Sequence, residues 1–288
     1  MGWKILIGIA VVLVCFIAWQ WADYHRIRIT RKTITYPKAH RWIEEVPKRI
    51  CVLADLHERQ FGAGNRRLLE AIGRCRPDII LIPGDLVVRH RRSTERAKAL
   101  LCGLSNLGIP TFISPGNHET GMERLNPETF AKFREFFSQS NITYLDNASV
   151  RFSEHVLVSG MRIPDRCYKL SGRKESLNDE DFARVGGLSA DDGFVILLAH
   201  TPYYFPEYAK HGADLTVSGH VHGGIVRLPF LGGVISSQME LFPKYDAGIF
   251  REGDSVMALT TGLGAHTLPV RVFNPPEIMI LTVETSER

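Results

Sequence analysis

The chain has 288 residues, a mass of 32.4 kDa, 44% hydrophobic and 23% charged residues, and a net charge of +4 with a pI near 8.8. It is long enough to bury one sizeable core with an appendage, its composition is that of an ordinary globular protein, and its mild basicity suits an anionic substrate or surface but falls short of a nucleic-acid-binding signature. Five scattered cysteines (Cys15, Cys51, Cys75, Cys102, Cys167), odd in number and without C-x-x-C, argue against a disulfide framework or a structural zinc site and read as small buried hydrophobes.

Ile5 to Trp19 is an unbroken apolar run, which Trp21 and Ala22 extend past Gln20. That is near the short end of what spans a bilayer, roughly 17–25 residues. Trp3, Trp19 and Trp21 sit at its two ends, as interfacial side chains do. The bulky segment Ala18-Trp19-Gln20-Trp21-Ala22 offers no small-X-small cleavage site, so residues 1–24 read as an uncleaved, single-pass membrane anchor rather than a signal peptide. Only Lys4 precedes the run, whereas Arg26, Arg28, Arg31 and Lys32 follow it. The positive-inside rule therefore places the main domain on the cytoplasmic side, and the unpaired cysteines agree. The same basic cluster also suits contact with anionic lipid. Residues 25–48 read as a basic juxtamembrane segment and linker, with the linker over Thr33 to Pro47.

From Arg49 a pattern of apolar strand, polar loop and amphipathic helix repeats. Strands are predicted over Ile50–Ala54, Ile79–Ile82, Thr111–Ser114, Val156–Ser159, Phe194–Ala199 and Asp214–Val217. Helices are predicted around Leu68, Leu69 and Ile72, from Ser93 to about Leu107, and from Pro127 through Phe130, Phe133, Phe136 and Phe137, where the aromatics read as core. Arg162 to Ala190 is charged and poorly periodic, and reads as a surface excursion. Val256–Thr260 and Ile278–Val283, among Gly/Pro turns, suggest a second sheet packed on the first. The alternation implies an α/β architecture over residues 49–288 with strands buried on both faces.

Five polar motifs stand at the carboxyl ends of five predicted strands: Asp55-Leu56-His57, Gly84-Asp85, Gly116-Asn117-His118-Glu119, His200, and Gly219-His220-Val221-His222. Ligands of α/β sheets bind at that edge. Each motif alone is an ordinary cap, turn or loop histidine; together, each behind a hydrophobic strand, they form a set. Two carboxylates, an asparagine oxygen and several imidazoles make a mixed oxygen/nitrogen donor set, which suits manganese, iron or zinc. The donors are too many for one ion. Two ions bridged by a carboxylate would use them all, would make a hydroxide nucleophile at neutral pH, and would stabilise charge on a phosphoryl group under attack.

The set D-x-H, G-D, G-N-H-E, H and G-H-x-H resembles the calcineurin-like metallophosphoesterase family from Arg49 to the end of the chain. The resemblance implies a four-layer α/β/β/α sandwich behind the N-terminal transmembrane helix. It implies a dinuclear site in which Asp55, His57, Asp85 and His222 hold one divalent ion, and Asp85, Asn117, His200 and His220 hold the other. His118 would orient the phosphate or protonate the leaving oxygen, with Glu119 behind it as the partner of His118 or another histidine. Further similarity is to the membrane-anchored bacterial branch: the anchor, His222-Gly223-Gly224 with Arg227-Leu228-Pro229, and Phe242-Pro243-Lys244-Tyr245 before Gly248. Ile225 departs from the glutamine usual in that branch. Members include general phosphodiesterases and enzymes that hydrolyse UDP-2,3-diacylglucosamine at its pyrophosphate.

Three functions are then open. The first is hydrolysis of a phosphodiester or pyrophosphate in a membrane-associated, lipid-linked substrate, with Leu228-Pro229-Phe230-Leu231 either dipping toward the bilayer or forming a core strand. The second is hydrolysis of soluble nucleotides or other phosphoesters, with Arg162, Arg166, Lys169, Arg173 and Lys174 either holding a second phosphate or forming a solvated loop. The third, a metal-binding scaffold, is disfavoured by the complete ligand set.

Overall fold

A computed structural model describes residues 2–37, 42–169, 175–185, 193–224, 226–228, 230–236, 240–265 and 271–286. Helix α1 spans Gly2–His25. Its 24 residues rise about 36 Å at 1.5 Å each, enough to cross a hydrocarbon core of about 30 Å. Residues 2 to 19 are all exposed, so this helix is not packed as a core helix, and it is long and apolar enough to cross a membrane.

The strands are β1 (Arg28–Pro37), β2 (Arg49–Val52), β3 (Ile79–Ile82), β4 (Thr111–Ile113), β5 (Ile142–Tyr144), β6 (Ala148–Ser153), β7 (Val156–Met161), β8 (Phe194–Ala199), β9 (Leu215–Ser218), β10 (Val226–Leu228), β11 (Gly232–Ile235), β12 (Gly248–Glu252), β13 (Ser255–Leu259) and β14 (Glu277–Ser286). The other helices are α2 (Arg66–Cys75), α3 (Glu95–Asn106), α4 (Asn117–Leu125), α5 (Pro127–Ser138), α6 (Asp179–Ala183) and α7 (Phe205–Lys210). One six-stranded sheet runs β1-β14-β2-β3-β4-β5, a second runs β12-β13-β9-β8-β7-β6, and β10 and β11 form a hairpin. Strands β2 to β5 are parallel, as are β7, β8, β9 and β13.

Alternate residues of each central strand face opposite layers. Ile50, Val52, Ile79 and Leu81 meet Ile196, Leu198 and Val217 between the sheets. Cys51, Ile80 and Ile82 face the other way, onto Leu68, Ile72, Leu100 and Phe133 of the helices. Leu197, Ala199, Met257 and Leu259 pack under Phe182, Phe205 and Tyr208. The result is the expected four-layer α/β/β/α sandwich. Strands covered on both faces are continuously apolar, which is why they are visible in the sequence.

Four segments differ from the sequence reading. Residues 28–37, expected as juxtamembrane segment and linker, form β1, which pairs in parallel with all of β14. Ile29 packs toward the helices whereas Ile34 and Tyr36 point between the sheets, so the strand changes its apolar face midway, across Arg31 and Lys32, and hides its period. Ile278–Val283, expected in the second sheet, lies in the first as part of β14, between β1 and β2; only β13 joins the second. Asn117 to Leu125 forms a helix where the sequence pattern predicts none. The excursion after Arg162 is anchored by buried Cys167, Leu177 and Phe182.

Tyr36 measures how far β1 belongs to the folded unit. Its ring meets Phe194 edge-on at 5.2 Å and its hydroxyl donates to the Asp214 carbonyl at 2.8 Å. Tyr36→Ala is expected to destabilise the detergent-solubilised chain by about 3–5 kcal/mol, as other large aromatic truncations in cores do. The readout is the midpoint of urea unfolding; a shift worth under about 1 kcal/mol would make β1 an appendage.

Candidate metal centre

The loops after β2, β3 and β4 rise from the first sheet, and those after β8 and β9 from the second. All five polar motifs meet where these edges converge. Asp55, His57, Asp85, His220 and His222 all have left-handed backbones, with φ of 52°, 48°, 56°, 72° and 54°. L-residues avoid that region, and its clustering in one place marks strain held by surrounding structure. Gly84 and Gly116 permit the close approach of two loops. A Cβ on Gly84 would lie 2.3 Å from the Gly116 nitrogen, and one on Gly116 would lie 2.2 Å from Asp85 Oδ1.

Backbone donors fix the carboxylates. The His118 N–H donates to Asp85 Oδ1 at 2.8 Å, and the His220 N–H donates to both Asp55 oxygens at 3.1 Å. Donor atoms of Asp55, His57 and His222 lie within 4.8 Å of one another; so do those of Asp85, His200 and His220, and those of His57, Asp85 and His118. Asp85 and His57 thereby link the groups. His57 Nε2 is 3.2 Å from His222 Nε2, and His200 Nε2 is 3.0 Å from Asp85 Oδ2. Asn117 is buried beside them at the start of α4.

Two observations show that this donor set fits divalent ions. His200 Nδ1 is 2.6 Å from the Pro83 carbonyl, which can only accept, so Nδ1 carries the proton. The lone pair of Nε2 then faces a carboxylate oxygen with no donor between them, a contact that calls for a cation or an added proton. Asn117 Oδ1 is buried without a hydrogen-bond partner among the described residues. A hard oxygen and an imidazole nitrogen oriented by a carbonyl from behind are what such ions require.

The same crowding sets the electrostatics. Burial would raise the Asp85 carboxyl, but the imidazoles of His200, His118 and His57 outweigh it and hold the group well below the carboxylate range. Asp55, buried and beside the Asp85 charge, is pushed up to about 7 despite His200. Burial works against a charged His200, yet Asp85 and Asp55 bring it to about 9.

Among the described residues Glu119 makes its hydrogen bonds to backbone rather than to a histidine, unlike the sequence expectation. Its carboxylate accepts from the backbone N–H groups of Asp85, Leu86, Val87 and Gly116, at 2.8, 2.8, 3.2 and 2.8 Å. It therefore holds the Asp85 loop onto α4. Burial first, and then the Asp85 charge, raise its carboxyl to about 7.

Three further residues support the centre and carry no signal in the sequence. Buried Arg271 donates to the carbonyls of Thr261 and Asn274 at 2.6 and 2.7 Å. Asn274 donates to the His222 carbonyl at 2.6 Å. The Tyr168 ring lies 5.0 Å from His220. All three sit in aperiodic segments where no local pattern singles them out. The basic excursion does not face the centre with free charge: Arg162 pairs with Asp146 and Glu123, Arg166 with Asp181, and Lys169 with Glu175. Arg173, Lys174, Ile225 and Pro229 lie outside the described residues.

A cavity of about 660 Å³ opens beside the cluster; His57 and His118 line one part, and Tyr24 and His25, the last turn of α1, line another. Helix α1 is docked there. The Phe273 ring packs against Trp19 with centroids 4.9 Å apart, its N–H donates to Gln20 Oε1 at 3.4 Å, and Gln20 Nε2 donates to the Arg271 carbonyl.

A family model described as calcineurin-like phosphoesterase matches residues 48–224. The uncharacterized metallophosphoesterase YkuE of Bacillus subtilis is 25% identical over 224 residues, covering 77% of this chain and 73% of that one. The UDP-2,3-diacylglucosamine pyrophosphatase LpxG of Chlamydia muridarum is 23% identical over 326 residues, covering 94% of each chain. Among solved structures, TT1561 of Thermus thermophilus is similar with a TM-score of 0.44 and 14% identity, over 76% of this chain and 92% of that one.

Proposed function

This chain belongs to the calcineurin-like phosphoesterase family, and from that premise we propose that it is a membrane-surface phosphohydrolase acting on a lipid-linked diphosphate such as UDP-2,3-diacylglucosamine. The observation that carries the reading is the shared cavity: the last turn of the anchor and the metal-ligand loops line the same space. A substrate with its tail in the bilayer would meet the reacting groups at the membrane surface. Similarity to LpxG along both chains supports the choice of lipid. So do the exposed side chains of Phe230, Leu231, Leu241 and Phe242 around the β10–β11 hairpin. That hairpin bridges from Val226 to Val272, next to the Phe273 that packs on Trp19.

In this reading residues 1–24 are the anchor and residues 49–288 the catalytic domain, to which β1 contributes an edge strand. Asp55, His57, Asp85 and His222 hold one divalent ion; Asp85, Asn117, His200 and His220 hold the second, with manganese, iron or zinc as candidates. When bound, the ions supply a hydroxide nucleophile and neutralise charge on the phosphoryl group. The chain does the rest. Asp85 spans both halves of the donor set, Glu119 and Asn274 fix the loops that carry the ligands, and His118 delivers a proton to the departing oxygen. The soluble-nucleotide alternative has less support, because its basic side chains Arg162, Arg166 and Lys169 are engaged by carboxylates.

The test is hydrolysis of UDP-2,3-diacylglucosamine by the full chain in detergent with Mn²⁺, beside bis-aryl phosphate as a generic diester. Lipid cleavage far faster than the diester is expected. Turnover of the diester alone would reject the lipid substrate.

A further inference from the structure

Basic side chains make up much of the lining of the cavity. His25, Arg59, His90, Arg91 and Arg96 line it, against one acidic side chain, Glu58. That carboxyl is buried, faces the N–H groups of Arg96 and Ala97, keeps one oxygen without a hydrogen-bond partner among the described residues, and feels the charges of Arg91 and Arg96. Two kinds of basic side chain are present. Arg59 is structural: its guanidinium lies 3.8 Å over the Tyr24 ring and 4.9 Å from Phe61, and donates to the carbonyls of Tyr24 and of Leu263, the latter at 3.1 Å. Arg67 donates to the His25 carbonyl at 3.1 Å. These two arginines therefore hold the end of α1 as a fixed wall, with cations meeting its terminal carbonyls. His90 and Arg91 differ. They are exposed to the cavity, and neither side chain has a hydrogen bond or ion pair among the described residues.

We infer that His90 and Arg91 form a subsite for the second phosphate of a diphosphate substrate, in the cavity that His57 and His118 of the ligand cluster also line. The inference rests on the phosphohydrolase reading and adds a determinant of substrate class. A substrate with one phosphorus fills the metal centre and leaves this subsite empty. A diphosphate places one phosphorus at each, and its membrane-held part leaves along the anchor. Hydrogen bonds from an imidazole N–H and a guanidinium discriminate between the two classes without touching the bond that breaks.

The experiment uses the full chain, loaded with Mn²⁺, in phosphatidylcholine nanodiscs, and measures binding of inorganic pyrophosphate and of orthophosphate by titration calorimetry. In the double variant His90→Ala, Arg91→Ala, pyrophosphate binding is expected to weaken about tenfold or more, in keeping with lost bonds between charged groups, while orthophosphate binding stays unchanged. Unchanged orthophosphate binding also shows an intact fold and metal centre. Equal weakening of both anions, or no change in either, overturns the subsite. Displacement of pyrophosphate from the wild type by phosphatidylglycerol in the nanodisc also overturns it, since the occupant would then be a bulk lipid headgroup. Selective loss of pyrophosphate binding in a chain that does not cleave UDP-2,3-diacylglucosamine would reject that substrate and leave the subsite standing.

Discussion

Asp85→Ala is expected to lower kcat/KM for bis-aryl phosphate by about a thousandfold or more, and to remove bound metal at the same time. The size of the effect follows from how many contacts end on one carboxylate. Oδ2 faces His200 Nε2 at 3.0 Å and His57 Nε2 at 3.9 Å, one imidazole from each half of the donor set. Oδ1 accepts the His118 N–H at 2.8 Å and so fixes the first turn of α4, where Asn117 also sits. Alanine would remove the carboxylate proposed as the shared ligand and release the helix that presents two other candidate site residues. Asp85→Asn separates these effects. It keeps an oxygen for the His118 N–H but loses the charge that the surrounding imidazoles stabilise. The expectation for asparagine is a folded protein with sharply reduced metal content and activity. Elemental analysis beside kinetics decides the matter, and an Asp85→Ala protein that kept two ions and its turnover would remove Asp85 from the bridging position.

The candidate ligand set is legible in the sequence because each member sits where a fully buried strand ends. Ile79 to Ile82 and Phe194 to Ala199 are apolar at every position, so the switch to Gly84-Asp85 or His200 is abrupt. The supporting residues are hidden for the complementary reason. Arg271 and Asn274 lie in a segment that has no periodicity of its own, and Asn274 reaches the His222 loop across 50 residues or so of sequence. Glu119 stands out by its motif, but its partners are backbone N–H groups, and a backbone has no residue type to read. Strand β1 is concealed because its apolar residues serve opposite faces of the sheet. Its place beside β14, at the edge of the first sheet, leaves helix α1 directly upstream of the two sheets.

His118→Ala is expected to divide substrates by leaving group. The Arg89 N–H donates to His118 Nδ1 at 3.2 Å, so in the neutral ring the proton resides on Nε2. The ring lies edge-on to His57 at 4.6 Å and lines the cavity, a position from which Nε2 can give that proton to an oxygen as the P–O bond breaks. Where the leaving group is a phosphate or alkoxide, loss of a general acid is expected to lower kcat by about 10²–10⁴-fold. A nitrophenolate departs without needing a proton, so its release is expected to slow by less than about tenfold. The close grouping of His57, Asp85 and His118 donor atoms allows a rival role, in which His118 is itself a metal ligand. That role makes a different prediction: both substrates would slow equally, and metal would be lost with them. Measuring kcat against leaving-group pKa for the wild type and the variant, with metal content in parallel, separates the two. A steeper dependence in the variant at unchanged metal content assigns the proton to His118, whereas parallel lines with depleted metal would make it a ligand and leave the leaving oxygen to water.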